Sequence, residues 1–135
     1  MKILIAEDDF ASRKFMLKFL SKYADVDVTV DGEEAAAAFE LALEDESPYD
    51  LVCLDIMMPN VNGIEALEAI RKAEERHGVD RSRRSKIIMT TALNEVNQVE
   101  QAFELGCEGY AVKPIDTARF LVIMKKMGFD LKEEE

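Results

Sequence analysis

Residues 51–59 read Leu51-Val52-Cys53-Leu54-Asp55-Ile56-Met57-Met58-Pro59, an apolar run interrupted by one carboxylate and closed by a proline. Leu51–Leu54 show no polar alternation, which fits a strand covered on both faces, as in a parallel sheet. Further strand-like runs occur at Lys2–Ala6, Val26–Val30, Lys86–Met89 and Gly109–Val112, and four of the five are mostly apolar. Between them, apolar residues recur at helical spacing. Phe15, Leu17, Phe19 and Leu20 mark a first helix, and Ala35, Ala38, Phe39 and Ala42 a second. Ile64, Leu67 and Ile70 mark a third, with Arg71 at its polar margin. Val99, Ala102 and Phe103 mark a fourth, and Phe120, Ile123, Met124 and Met127 a fifth. Asp31-Gly32 and Asn62-Gly63 open the second and third helices, while Gly106 and Gly128 close the fourth and fifth. Alternating strands and helices joined by right-handed crossovers predict an α/β domain, a doubly wound five-stranded parallel sheet with helices on both faces.

A chain of 135 residues holds one domain of common size, and no linker or internal repeat divides it. The reading places the domain at residues 1–129 and a short, charged, frayed tail at residues 130–135. Apolar residues make up 48% and charged residues 33%, so the chain reads as soluble and globular. The net charge of −11 argues against general binding to nucleic acid or to an anionic membrane surface. Acidic residues stop the apolar start at Ala6, too early for a signal peptide, and no run reaches the length of a membrane span. The expected location is cytoplasmic. Cys53 and Cys107 stand among apolar neighbours and suggest neither a disulfide framework nor a metal site. His77, the sole histidine, reads as a surface residue.

The chemistry lies where each apolar run stops. Glu7-Asp8-Asp9 follow the first strand, Asp55 the third, Thr90-Thr91-Ala92 the fourth and Lys113-Pro114 the fifth. Open α/β sheets bind ligands outside the carboxyl ends of their strands, so these groups are expected to meet in one pocket. Asp55 is the expected nucleophile, being ionised at neutral pH and needing no general base. Pro59, Asn60 and Asn62-Gly63 already supply the turn after it, so capping that turn is not its purpose. Asp8 and Asp9 suit a magnesium (or manganese) ion, which takes only one or two protein carboxylates. They would also favour a helix N-terminus, but three consecutive acids repel one another and capping alone does not explain them. Glu7 is placed at the rim. Lys113 would contact phosphoryl oxygens as a point charge, and its bond to Pro114 is cis or trans, a choice the sequence leaves open. Thr91 would offer a hydroxyl to the same oxygens. Thr90 competes, and alternation forbids both from facing one way. Thr91 is preferred because the small Ala92 after it leaves space beside an anion.

Taken together these stretches resemble the receiver domain of bacterial two-component response regulators, of the chemotaxis type, over essentially the whole chain. The resemblance implies a flavodoxin-like sheet of order 2-1-3-4-5. It implies Asp55 as phosphoacceptor, and Asp8, Asp9, Asp55 and the backbone carbonyl of Met57 as magnesium ligands. Thr91 would be the switch hydroxyl, Lys113 the phosphoryl contact, and Tyr110 the aromatic whose rotamer follows Thr91. The implied protein is a single-domain, monomeric regulator that binds neither nucleic acid nor membrane. It would take a phosphoryl group from a histidine kinase or phosphotransfer protein and switch binding of a protein target. Its own chemistry would be limited to magnesium-dependent self-phosphorylation from a donor and slow dephosphorylation, so it is not an enzyme. A phosphate sink or relay, and an isolated receiver portion of a larger regulator, are the alternatives. A small-metabolite phosphohydrolase fits less well, because Met57 stands where it would want a second acid and no residues remain for a cap.

Two stretches stand outside this reading. Asp27–Gly32 begins like a calcium-binding loop, but Ala38 falls at the position of the bidentate glutamate, so a strand running into a helix is expected. Arg76–Lys86 (RHGVDRSRRSK) is locally basic in an acidic chain. It reads as a solvated insertion between helix and strand, with docking of an acidic partner as the other reading.

Overall fold

The computed structural model describes residues 1–133, apart from the side chains of Asn94 and Val96. Strands β1 (Lys2–Ala6), β2 (Asp25–Thr29), β3 (Leu51–Asp55), β4 (Lys86–Thr91) and β5 (Gly109–Val112) pair in parallel in the order β2-β1-β3-β4-β5. Helices α1 (Phe10–Leu20), α2 (Gly32–Glu44), α3 (Gly63–Arg76), α4 (Val99–Glu104) and α5 (Thr117–Lys126) cover both faces. Strand parity divides the core. Ile3, Ile5, Leu51, Cys53 and Ile88 pack on α1 and α5 through Phe19, Leu20, Phe120 and Met124. Leu4, Val52, Leu54, Ile87 and Met89 pack on the other three helices through Phe39, Leu67, Ile70 and Ala102. Each large side chain so buried contributes about 1.5–3 kcal/mol. A one-residue slip of any central strand would exchange its two faces, so the register is strongly specified.

The expected elements are present, with differences at their ends. β3 runs through Asp55 and β4 through Thr91, so the carboxylate and hydroxyl belong to the ladder itself, with Asp55 opposite Thr90. A 3-10 turn over Leu93–Gln98 precedes α4, which spans the three apolar residues that marked it, Val99, Ala102 and Phe103. Phe15 and Phe103, expected on buried faces, are 46% and 44% exposed. In α1 the core face is set by Met16, Phe19 and Leu20, at spacings of three and four, and Phe15 falls one position round the helix from it. Leu131, inside the stretch expected to be a frayed tail, packs with Phe129 against the α1–α5 side of the core. Residues 134 and 135 lie outside the described residues. Asp27–Gly32 forms a strand and a helix cap. Its Asp27 accepts from the Tyr49 hydroxyl at 2.6 Å, and Asp31 caps α2 at the Glu34 N–H. Cys53 and Cys107 are free and buried on opposite faces, and burial pushes their thiols up to about 12 and about 11. Among the described residues no helix is long and apolar enough to cross a membrane.

Two glycines bring helices α2 and α3 hard against the loop after Asp55. The Gly63 N–H donates to Ile56 O at 2.9 Å, and a Cβ on Gly63 would lie 2.1 Å from the Asp55 carbonyl oxygen. Gly32 meets Val61 O in the same way, with its Cβ position 2.2 Å away. Such contacts are with backbone, which cannot swing aside, so only glycine admits the approach. Next to Gly63, Asn62 and Glu65 form a reciprocal capping box that fixes where α3 begins. Gly63→Ala should therefore destabilise the fold by about 1–3 kcal/mol, the usual range for overpacking. Urea unfolding would show this as a lower midpoint with an unchanged slope.

Candidate functional site

At the carboxyl end of the sheet, β1 and β3 are neighbours, with Glu7 directly after β1 and Asp55 closing β3. Glu7 continues β1 through its N–H to Thr29 O at 3.1 Å, and parity carries it to the same face as Ile3 and Ile5. Asp55 shares the parity of Leu51 and Cys53 and so the same face. Glu7 and Asp55 are buried, and Asp8 is exposed at the mouth. One carboxylate oxygen from each of Glu7, Asp8 and Asp55 lies within 4.8 Å of the others. Lys113 arrives from the end of β5, its backbone N–H held by Thr91 O at 2.7 Å. Its Nζ donates to Glu7 Oε1 at 2.5 Å and to Asp55 Oδ2 at 3.0 Å. The remaining oxygen, Asp55 Oδ1, accepts the Met57 N–H at 3.3 Å. The Lys113-Pro114 peptide is cis. Beside the acids, a cleft of about 310 Å³ opens between α1 and the turn after Lys113, lined by Phe15, Met16, Thr90 and Ile115.

Charge crowding governs this site. Two like charges about 4 Å apart cost roughly 4 kcal/mol at an effective dielectric constant of about 20. Burial raises the Glu7 pKa above the ordinary carboxylate value, and its hydrogen bond and charge repulsion with Asp55 add to that against the opposing pull of Lys113. For Lys113, burial works against the charged form. The hydrogen bonds from its ammonium to Glu7 and Asp55 outweigh that, and its pKa is raised. The set of oxygen donors fits a hard divalent cation, which favours carboxylates and carbonyls over softer ligands.

Asp9, expected beside Asp8 in this cluster, is not brought to it. Its carboxylate caps α1, accepting the Ser12 N–H at 2.9 Å, and that bond lowers its pKa. Glu7 replaces it as the second acid. The signal was in the sequence: Glu7 keeps the parity of Ile3 and Ile5, whereas Asp9 stands three residues before Ser12 at the start of a helix, an N-cap position. Arg13 was also missed; its Nη1 donates to the carbonyls of Glu7 and Asp8 at 3.0 and 3.3 Å and clamps the acidic backbone. Thr90 follows Ile88 onto the cleft side with Glu7 and Lys113. Thr91 is fully buried, and its hydroxyl donates to Ala92 O at 3.0 Å. Tyr110 is 40% exposed and meets Phe103 of α4 edge-on, with ring centroids 6.3 Å apart. His77 ends α3, away from these strand ends, with Nε2 3.3 Å from Glu40 Oε2.

Two neighbouring acids should thus respond with opposite sign in metal-free buffer. Asp9→Ala removes a helix cap and should lower the melting temperature by a few degrees. Asp8→Ala relieves repulsion and should leave the melting temperature level or raise it. Thermal unfolding followed by circular dichroism separates the two.

Residues 3–125 match the response regulator receiver domain family. The chain is 32% identical over 114 residues to the transcriptional regulatory protein CiaR of Streptococcus pneumoniae, covering 84% of this chain and 45% of that protein. It is 30% identical over 131 residues to probable histidine kinase 2 of Oryza sativa subsp. indica, covering 90% of this chain and 12% of that protein. The chain therefore spans less than half the length of either relative. Among solved structures it is similar to that of a Saccharomyces cerevisiae histidine phosphotransfer signalling protein with the receiver domain of its downstream response regulator. That likeness has a TM-score of 0.75 at 25% identity, covering 90% of this chain and 83% of the matched one. With the match running from β1 into α5 and the strand order agreeing, the chain belongs to the response regulator receiver domain family, the phosphoryl acceptors of two-component signalling.

Proposed function

We propose that Asp55 accepts the phosphoryl group, that it comes from a phosphohistidine on a kinase or phosphotransfer protein, and that the result is a change in binding of a protein target. The observation that carries this reading is the Lys113 ammonium bridging Asp55 and Glu7 at the mouth of a three-carboxylate cluster. An Asp55 oxygen attacks phosphorus in line, and the phosphorus–nitrogen bond of the donor breaks with its electron pair staying on the imidazole. Glu7, Asp8 and Asp55, with the Met57 backbone carbonyl, would hold a magnesium or manganese ion, which when bound neutralises charge on the transferring phosphoryl oxygens. Lys113 then exchanges carboxylate partners for a phosphoryl oxygen. The yeast receiver solved together with its phosphotransfer protein supports a donor of this kind.

The switch runs through Thr91. Its hydroxyl leaves the neutral Ala92 carbonyl for a phosphoryl oxygen, trading an ordinary hydrogen bond for a charge-assisted one. That movement vacates space for the Tyr110 ring, which turns in from its half-exposed position and reshapes the face of α4, β5 and α5. Phosphorylation thereby biases two states that already interconvert.

Incubation with a small acyl phosphate and magnesium should add one phosphoryl mass to the wild type and none to Asp55→Ala or to chelated protein. Label persisting in Asp55→Ala would move the acceptor elsewhere. Asp8→Ala should weaken magnesium binding by roughly 10–100-fold or more, since even the outer partners of metal ligands are worth that much. Asp9→Ala should bind magnesium as the wild type does. Thr91→Ala should still accept phosphate but lose most of the phosphorylation-dependent change in partner affinity.

The phosphorylated state is expected to be long-lived. Hydrolysis needs a water placed in line with phosphorus. The residues two positions after Asp55 and Thr91 are Met57 and Leu93, exposed at 54% and 79% and unable to hydrogen-bond that water. Leu93→Glu and Met57→Asn should each speed decay of the isolated phosphoprotein in one magnesium buffer. Wild-type decay as fast as theirs would remove these positions from control of water access.

A further inference from the structure

The basic stretch Arg76–Lys86 lies at the amino end of the strands, where the proposed phosphoryl chemistry does not use it. It holds five cations and one acid, Asp80. Arg76 pairs with Glu40 at 2.7 Å. Arg81, Arg83, Arg84 and Lys86 join none of the ion pairs among the described residues, although the chain has 28 acids to 17 bases. What sets these four apart is their clustering within six residues of one short segment. Arg84 is held with its fork unused, and its Nε is sealed from solvent without a hydrogen-bond acceptor among the described residues.

The segment carrying these cations is anchored from behind. The Ser85 N–H donates to Glu74 Oε2 at 2.8 Å, and Ser85 O accepts from Arg71 Nη1 at 2.9 Å. The Ser85 hydroxyl donates to Tyr49 O. The Lys86 N–H donates to Asp50 O at 2.9 Å, and the Arg83 N–H to Asp80 O at 2.8 Å. Side chains presented from so constrained a backbone lose less freedom on binding. In front of them runs a groove of about 400 Å³, lined by Arg83, Arg84, Lys86, Tyr49, Met127 and Phe129. The acid in this groove, Asp50, is engaged through Oδ2 by the Lys2 N–H at 2.8 Å. Cations on one wall and an aromatic and apolar floor form a mixed surface.

We infer that this groove docks an acidic peptide segment of a protein partner, its carboxylates on Arg83, Arg84 and Lys86 and one apolar side chain against Phe129 and Met127. Charge complementarity selects the occupant. At physiological ionic strength the screening length is about 8 Å, so a carboxylate in the groove responds to these cations and little to the net charge of the whole chain. A nucleic acid strand would extend well past the groove and meet the rest of a chain whose net charge is −11. Lys86 and Thr91 are the two ends of β4, roughly 16 Å apart at the rise of an extended strand, so docking leaves the phosphorylation site open.

The test uses two labelled peptides, a glutamate-rich one with a single central phenylalanine and the same peptide with alanine there. Titrated into isotopically labelled protein, the phenylalanine peptide should shift the amide signals of Ser82–Lys86 and Gly128–Phe129 and leave those of α1 in place. Its affinity should fall on the order of tenfold in Arg83→Glu/Arg84→Glu, the sum expected for a few partly exposed ion pairs. The alanine peptide should bind more weakly to the wild type. Arg83→Gln/Arg84→Gln, which removes the charge without reversing it, should also weaken binding, and both variants should accept phosphate at the wild-type rate, which shows them folded. Amide shifts elsewhere or none, unchanged affinity in the variants, or tighter binding of a single-stranded DNA oligonucleotide would each overturn the inference.

Discussion

Repulsion among three carboxylates is the constraint around which the carboxyl end of this sheet is built. Glu7, Asp8 and Asp55 share a volume in which oxygens from all three lie within 4.8 Å, and the ammonium that reaches two of them belongs to Lys113. The arrangement exists because β1 and β3 are adjacent and end level, with Ala6 opposite Leu54 in the ladder. It persists because the surrounding fold holds it there. Arg13 clamps the carbonyls of Glu7 and Asp8, and Gly63 lets α3 start against the Asp55 carbonyl. A site held against its own repulsion responds strongly to an added cation or to charge relocated onto a phosphoryl group.

The opposite end of the sheet shows the contrary balance. Glu74 is 1% exposed, yet its two oxygens are answered by Arg71 Nη1 at 2.7 Å and the Ser85 N–H at 2.8 Å. Arg71 also donates to Gly106 O at 2.6 Å and to Glu108 at 2.9 Å, and Glu108 accepts the Ile87 N–H at 2.7 Å. One guanidinium therefore ties α3, the segment before β4 and the turn between α4 and β5. A buried charge is tolerable when every hydrogen-bonding site has a partner, and breaking such a set is costly. With this end pinned, rearrangement on the α4–β5 side is easier near Thr91 and the 3-10 turn than near Gly106.

Much of the architecture was legible in residue pattern. Mostly apolar runs located the four strands other than β2 to within about two residues, because strands covered on both faces admit little else. The edge strand β2, with its alternating DVDVT, was placed within one residue. Asp31 and Asn62 announced their helices because short polar side chains satisfy the first free N–H groups. The misreadings have local causes. Phe15 and Phe103 are large and apolar, so composition placed them in the core, but each falls just off the buried stripe of its helix. Arg71 looked like a marginal surface residue because its partners Gly106 and Glu108 lie 35 and 37 residues away.

The site divides the same way. By itself the sequence determined which chemical groups stand at the strand ends: acids after β1 and β3, hydroxyls closing β4, an ammonium after β5. The termination of each apolar run is a local property of the chain. Only the tertiary structure decided how those groups are shared. Local pattern marks Glu7 as the end of a strand face and Asp9 as a helix cap, but only the fold sets the buried Glu7 carboxylate beside Asp55 while the first turn of α1 takes that of Asp9. Lys113 meets Asp55 across 58 residues and Glu7 across 106, separations over which no sequence spacing can specify a contact. Sheet order, register and parity bring those three side chains within hydrogen-bond reach, and these are set by burying both faces of the sheet at once.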